Sequence, residues 1–153
     1  MSARLGKLMH YEIKNPQSDD EFRRYFHFRW KILRAPWQQP EGSEVDELEA
    51  QCFHVMTVDQ DDTVIGVARL QFNSAIEAQI RYMAVAEKYE RNGIGSAMIN
   101  AMENQASASN HKVITLDARE PAVGFYQKLG YTVTQKSYLL FDEIQHFHML
   151  KTL

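Results

Sequence analysis

Apolar positions change their spacing several times along the chain, and each change marks an element. After Ser18, the residues Phe22, Phe26, Trp30 and Leu33 recur at helical intervals and predict an amphipathic helix buried along that stripe. Ser18 offers an N-cap with Glu21 as the reciprocal carboxylate, Asp19 and Asp20 suit the positive end of the helix dipole, and Pro36 forces a stop. Upstream, residues 8–13 read as a short strand closed by Asn15-Pro16. Downstream, Pro36, Pro40 and Gly42 predict a loop that carries an exposed Trp37, and the acidic residues 44–50 a short helix. Two β-rich runs follow, residues 53–58 and 64–72, joined by the hairpin-type turn 59–62, and a further strand covers 78–85. Ile94, Met98, Ile99 and Met102 restore helical spacing, a strand follows at 112–118, and Pro121 heads a second short helix that ends at Gly130. Strands at 131–141 and 144–150 complete the order β-α-α-β-β-β-α-β-α-β-β. This order predicts one α+β domain over residues 1–153, a mixed sheet with helices packed on it.

Composition narrows the function. With 44% hydrophobic and 24% charged residues the chain is an ordinary globular mixture. A net charge of −3 gives no general reason to bind nucleic acid or an anionic membrane surface. Neither a membrane-spanning apolar run nor a secretory signal is visible, so the cytoplasm is the expected compartment. Cys52 is the only cysteine, which excludes an internal disulfide, and His146 and His148 alternate on a strand without a third ligand, so no metal is expected.

The chemistry concentrates at the turn Arg91-Asn92-Gly93-Ile94-Gly95 ahead of Ser96. A helix start leaves N–H groups unpaired, and glycines let an anion approach the backbone closely. The pattern suits a diphosphate; it equally suits close packing of the helix on a strand. It is not a P-loop, because Gly95 is followed by Ser96-Ala97, and it lacks the third glycine of a dinucleotide fingerprint.

Val85-x₅-Arg91-Asn-Gly93-Ile-Gly95, followed about 30 residues later by Ala122-x₂-Phe125-Tyr126-x₂-Leu129-Gly130-Tyr131, resembles the GNAT family of acyl-CoA-dependent N-acyltransferases. Residues 28–34 and 39–43 are also similar to the GNAT half of bacterial proteins fused to a hot-dog thioesterase-like domain, whose other half is absent here. The resemblance implies the GNAT fold: a mostly antiparallel sheet of about seven strands, a splayed central parallel pair, and about four helices. It implies coenzyme binding by Met83, Ala84 and Val85 along the pantetheine arm and by Arg91, Asn92, Gly93, Ile94, Gly95 and Ser96 around the diphosphate. One N–H near Met83 and Ala84 would polarise the thioester carbonyl. Arg119, where the family often has Asn, would reach the coenzyme differently or be solvated, and Tyr126 would sit beside the sulfur. A phenol of pKa about 10 facing a thiol of about 8.5 transfers its proton uphill by about 2 kcal/mol, which favours a hydrogen-bond donor to the departing sulfur. A tyrosine on an apolar helix face can also be plain core.

Several positions depart from the family pattern. Glu90 puts a carboxylate near the phosphates, and Gln79 stands where related chains hold a carboxylate base, leaving Glu77 and His54 as candidates. Arg69 and Arg81 either bind an acidic group of the acceptor or snorkel to the sheet edge. Trp30, Arg34 and Trp37 border the expected acceptor site, with Trp30 fitting the core stripe better. The acidic run 41–49 reads as a solvated face rather than a lure for cationic amines. The expected activity is direct transfer of an acetyl group from acetyl-CoA to a primary amine of a small molecule or peptide. The alternatives are an acyl-CoA-binding docking module or an enzyme using an acyl-carrier-protein thioester. A homodimer through the last strands is an option.

Overall fold

Local signals set the first helix. In the computed structural model, which describes residues 10–153, α1 (Asp19–Leu33) carries both halves of the capping box: Ser18 Oγ accepts from the Glu21 N–H, and Glu21 accepts from the Ser18 N–H. The buried face is rotated from the predicted stripe. Tyr25, Phe28, Arg29 and Leu33 are buried, whereas Trp30 is only half-buried and donates its Nε1–H to the Gln39 carbonyl. A fully buried arginine displaces the stripe, and hydrophobic spacing alone could not foresee that. The following loop folds as a 3-10 turn (Ala35–Trp37), and Trp37 is half-buried, its ring stacked 6.1 Å from Phe141.

Among the described residues seven strands form one sheet: β1 (Tyr11–Lys14), β2 (Phe53–Asp59), β3 (Val64–Phe72), β4 (Glu77–Val85), β5 (Val113–Arg119), β6 (Thr132–Leu140) and β7 (Ile144–Thr152), in spatial order β1-β2-β3-β4-β5-β7-β6. Residues 8 and 9 of the expected first strand lie outside the described residues. Every neighbouring pair is antiparallel except β4 and β5. The parallel connection runs through α2 (Ile94–Ala108), whose Ile94, Met98, Ile99 and Met102 bury against one face together with α3 (Val123–Lys128). The other face is covered by α1 over Met56, Val58, Val67 and Ala84. Among the described residues there are three α-helices and several short 3-10 turns. The acidic segment 44–50 is a run of turns closed by a 3-10 turn (Glu49–Gln51). Among the described residues no helix is long and apolar enough to cross a membrane.

The acidic run 41–49 is solvated only in part, at the exposed Glu41 and Glu47. Glu44 is buried; Asp46 and Glu49 reach inward to Arg69 and Arg29, both of whose side chains are 0% exposed. Arg69 is held bidentately by Asp46 at 2.8 and 2.9 Å, and Glu49 Oε2 lies 2.8 Å from both Arg29 Nη1 and Arg69 Nη1. Arg69 therefore neither snorkels nor faces an acceptor. Hydrogen bonds from Arg69 hold the Asp46 carboxyl at about 2, below the ordinary 3.8. Its contribution to stability is complete above the unfolded value and is lost as pH falls from about 4 to 2, because the unfolded carboxyl takes up its proton first. Urea midpoints measured at pH 6, 4 and 2.5 should fall across that window, and the fall should be shallower in Asp46→Asn.

Candidate active site

The site begins where the parallel pair comes apart. β4 and β5 pair from Glu77↔Val113 to Ile80↔Leu116 and then separate, so among the described residues the β5-facing backbone of Arg81 to Val85 has no strand partner. A bulge lies at the same place. Val67 pairs with Ala84 and Arg69 with Arg81, so Tyr82 and Met83 oppose the single Ala68, and Tyr82 adopts a left-handed φ of 55°. The bulge puts the consecutive Arg81 and Tyr82 on the α1 face. There the Tyr82 ring is flanked by the guanidiniums of Arg29, Arg69, Arg81 and Arg34 at 4.4, 4.8, 4.7 and 5.6 Å.

A cavity of about 130 Å³ opens in this gap. Its walls are Gln79 to Met83 on one strand, Leu116 to Arg119 on the other, Tyr126 and Ala122 behind, and Arg34, Tyr138 and His146 on the α1 side. Tyr126 is 8% exposed, with its hydroxyl 3.5 Å from the Met83 sulfur and its ring edge-on to Phe125 and Tyr131. Burial pushes the phenol up to about 12, against a small downward pull from Arg119, so it is a proton donor throughout the neutral range.

The glycine turn lies ahead of α2. Arg91 and Gly93 are both left-handed, at φ 68° and 81°. Asn92 braces the turn by donating to the Tyr89 and Glu90 carbonyls. Among the described residues the N–H groups of residues 91–96 donate to no carbonyl or side chain; the first bond is Ala97 N–H to the Gly93 carbonyl. A Cβ on Gly93 would meet nothing within 4 Å, and Glu90 is exposed, so the turn is open to an anion. Gly95 has the other reason for being glycine: a Cβ there would meet Phe125 at 3.0 Å and Met83 at 3.3 Å. Ile94 buries its side chain in the core, and Ser96 is exposed. Gly93→Asn, which tolerates the left-handed backbone, should keep the melting temperature while weakening coenzyme A binding at least tenfold by calorimetry. Gly93→Val should lose binding and also strain the turn.

The cavity brings together Met83, Arg119 and Tyr126, while Ala84, Val85 and residues 91–96 lie outside its walls. Arg119 pairs in register with His146 and alternates with Leu116 and Ala118, so it belongs to the α1 face, where its guanidinium lies 4.8 Å from the Trp37 ring centroid. The two candidate bases are elsewhere. Glu77 is tied to Asn73 and Thr115, and His54 is buried between the Tyr25 hydroxyl and the Glu49 carbonyl. Gln79 does reach the cavity, accepting from Asn73.

Asp117, Tyr138 and His146 are cavity residues that the sequence reading missed. Strand alternation was the available signal, since Asp117 and Arg119 fall opposite the apolar Ile114, Leu116 and Ala118. His146 was weighed only as a metal ligand. Its ring stacks on Tyr138 at 4.3 Å, and Nδ1 lies 2.9 Å from the Ile144 carbonyl. A carbonyl only accepts, so Nδ1 carries the proton and Nε2 keeps its lone pair. Burial holds the imidazole below its ordinary 6.5, which leaves it neutral at pH 7. Cys52 is half-buried, its thiol pushed up by burial and donating to the Leu48 carbonyl.

The profile of the Acetyltransferase (GNAT) family matches residues 21–131. The uncharacterized N-acetyltransferase YjcF of Bacillus subtilis is 25% identical over 135 residues, 88% of this chain and 95% of that one. An acyl-CoA N-acyltransferase from Pseudomonas aeruginosa has a similar fold, with a TM-score of 0.76 at 19% identity over 94% of this chain and 99% of that one. An aminoglycoside 6'-N-acetyltransferase complexed with coenzyme A gives 0.73 at 18%, covering 92% and 96%.

Proposed function

Because the chain belongs to the GNAT family of acetyltransferases, we propose that residues 1–153 form one acetyltransferase domain that moves an acetyl group from acetyl-CoA to a primary amine of a small molecule or peptide by direct attack in a ternary complex. Family membership makes it an acyl-CoA-dependent N-acetyltransferase; specificity for acetyl-CoA, the class of acceptor and the mechanism are our reading. Residues 28–34 and 39–43 support a place beside the acetyltransferase halves of the thioesterase fusions.

One observation carries the mechanism: the Tyr126 hydroxyl sits behind the gap where β4 and β5 part, buried and protonated. The free N–H groups of Arg91, Asn92, Gly93, Ile94, Gly95 and Ser96 suit the two linked phosphates, and the unpaired strand edge at Met83, Ala84 and Val85 suits an extended pantetheine arm. Bound there, acetyl-CoA supplies an activated thioester. An N–H of Met83 or Ala84 then polarises the carbonyl, Tyr126 donates a hydrogen bond to the sulfur as the carbon–sulfur bond breaks, and the new bond is carbon to nitrogen. His146 Nε2 takes the proton that the amine nitrogen must lose. Its neutral tautomer, fixed by Ile144, supports that role, and Asp117 adds a carboxylate to the same walls. Cys52, kept protonated by burial and outside the cavity walls, favours direct attack over a covalent intermediate. Exposed Tyr138 and Leu139 on the edge strand β6 support a homodimer through the last strands.

Thermal shift with acetyl-CoA and coenzyme A, followed by thiol release against a panel of amines, tests the reading. Stabilisation with thiol release from at least one amine is expected; stabilisation without release from any would leave a docking module instead. Acetylated carrier protein as the only effective donor would point to the thioester alternative. His146→Asn should lower turnover about 10²-fold at pH 7 with the coenzyme KM unchanged. The wild-type rate should rise with pH through the depressed imidazole value, a limb the variant lacks.

A further inference from the structure

Five guanidiniums lie on the α1 side of the sheet around this cavity, and the fold treats them in two ways. Arg29 and Arg69 have carboxylates at 2.8 Å, and Arg81 has Asp46 at 3.8 Å. Arg34 and Arg119 have none: among the described residues no carboxylate lies within 4 Å of either, and residues 1–9 contain no Asp or Glu. Both line the cavity, and both are held by the same aromatic pair. Arg119 lies 4.8 Å from the Trp37 ring, Arg34 lies 5.6 Å from the Phe141 ring, and those two rings stack on each other. The Arg34 side chain is fixed further by its own bond to the Leu33 carbonyl and by Tyr82.

Two unneutralised cations held close together in a half-buried site repel each other. Burial and the Arg34 charge both disfavour the charged form of Arg119. An oxyanion between them would relieve that repulsion and meet two planar donor forks.

We propose that Arg34 and Arg119 form an anchor for a carboxylate on the acceptor, so that the enzyme acetylates the amine of an amino-acid-like compound or of a small peptide that presents its own carboxylate. The proposal rests on the acetyltransferase reading above and adds the chemical class of the acceptor. Position decides between the acceptor and the coenzyme as the source of the anion. Arg119 faces α1, across the sheet from Ile94 and the α2 packing surface, whereas the free N–H groups gather at the start of α2. The stacked Trp37 and Phe141 wall the anchor, which explains why the loop after α1 is folded against the turn between β6 and β7 rather than left in solvent.

The test compares matched amines. Thiol release is measured with acetyl-CoA and a panel of free L-amino acids, the same amino-acid amides, phosphoethanolamine and spermidine. In parallel, N-acetylglycine and N-acetylglycinamide are titrated into the protein–coenzyme A complex while the Arg34 and Arg119 guanidinium N–H signals are followed by NMR. The expected result is at least a 30-fold preference in kcat/KM for free acids over amides. Arg34→Gln and Arg119→Gln should each reduce that preference at least tenfold through the acceptor KM, with the coenzyme KM unmoved. N-acetylglycine, and not its amide, should shift both guanidinium signals. Equal rates on acids and amides, or a preference for spermidine, would overturn the proposal. So would a preference for phosphoethanolamine, which would make the anchor a phosphate site, or variants that weaken coenzyme binding while the acid-to-amide ratio stays put. If no amine is acetylated, the titration still decides: N-acetylglycine moving both signals keeps the anchor and removes the transferase reading, and no movement removes the anchor.

Discussion

Tyr126→Phe is expected to lower turnover about 10³-fold while leaving the affinity for coenzyme A within about threefold. In the proposed mechanism the loss follows from removing one buried donor to the atom on which charge develops, an effect of roughly 10²–10³ in such sites. The phenol is better suited to holding a hydrogen bond than to handing over its proton. At about 12, it would release that proton to a thiol of ordinary pKa, about 8.5, at a cost of about 5 kcal/mol. The hydroxyl otherwise meets only the Met83 sulfur, a weak acceptor at 3.5 Å, so its removal leaves no strong buried partner unsatisfied and the fold should be indifferent. Turnover, calorimetric affinity and melting temperature measured together separate the outcomes. Full turnover in the variant would make Tyr126 a packing residue beside Phe125 and Tyr131.

Glu49→Gln should cost about 3–5 kcal/mol of stability, which in a chain of 153 residues is a fall of about 10 °C in melting temperature. Glu49 Oε2 sits 2.8 Å from the guanidiniums of both Arg29 and Arg69, and both arginines are fully buried. With Asp46, the cluster has two buried cations and two anions; removing one anion leaves a net positive charge inside the protein. The double variant Arg29→Met with Glu49→Leu removes one charge of each sign and should be less destabilised than Glu49→Leu alone. Thermal denaturation of the wild type, Glu49→Gln, Glu49→Leu and the double variant checks both statements. A double variant no better than the single would show that the salt bridges are additive, contrary to this account.

Much of this was legible in the chain because its causes are local. Ser18 and Glu21 cap the same turn, Gly93 and Gly95 stand together at the head of one helix, and the β-rich composition at 53–58 and 64–72 is a property of single strands. The family resemblance supplied the mostly antiparallel sheet and its splayed parallel pair. What escaped depends on partners far apart in sequence. Arg69 and Asp46 are 23 residues apart, so two carboxylates of an acidic stretch that looked solvated, Asp46 and Glu49, are internal counter-charges. Trp37 looked exposed because Arg119 and Phe141, which cover it, come 82 and 104 positions later, far beyond any local window. His146 carried no spacing pattern; only its ring stacked on Tyr138 and its bond to Ile144 mark it. The Tyr82 bulge inserts one residue into an otherwise regular strand, and no residue type there announces it.

The parting of β4 from β5 after Ile80↔Leu116 has a mechanical consequence. The sheet is effectively two leaves, one of the strands before α2 and one of those after it, hinged at a single short seam. A ligand threaded into the opening would stitch the leaves along the length where the protein's own rungs are missing. Occupancy would therefore stiffen the last three strands most, although none of the glycine turn ahead of α2 belongs to them.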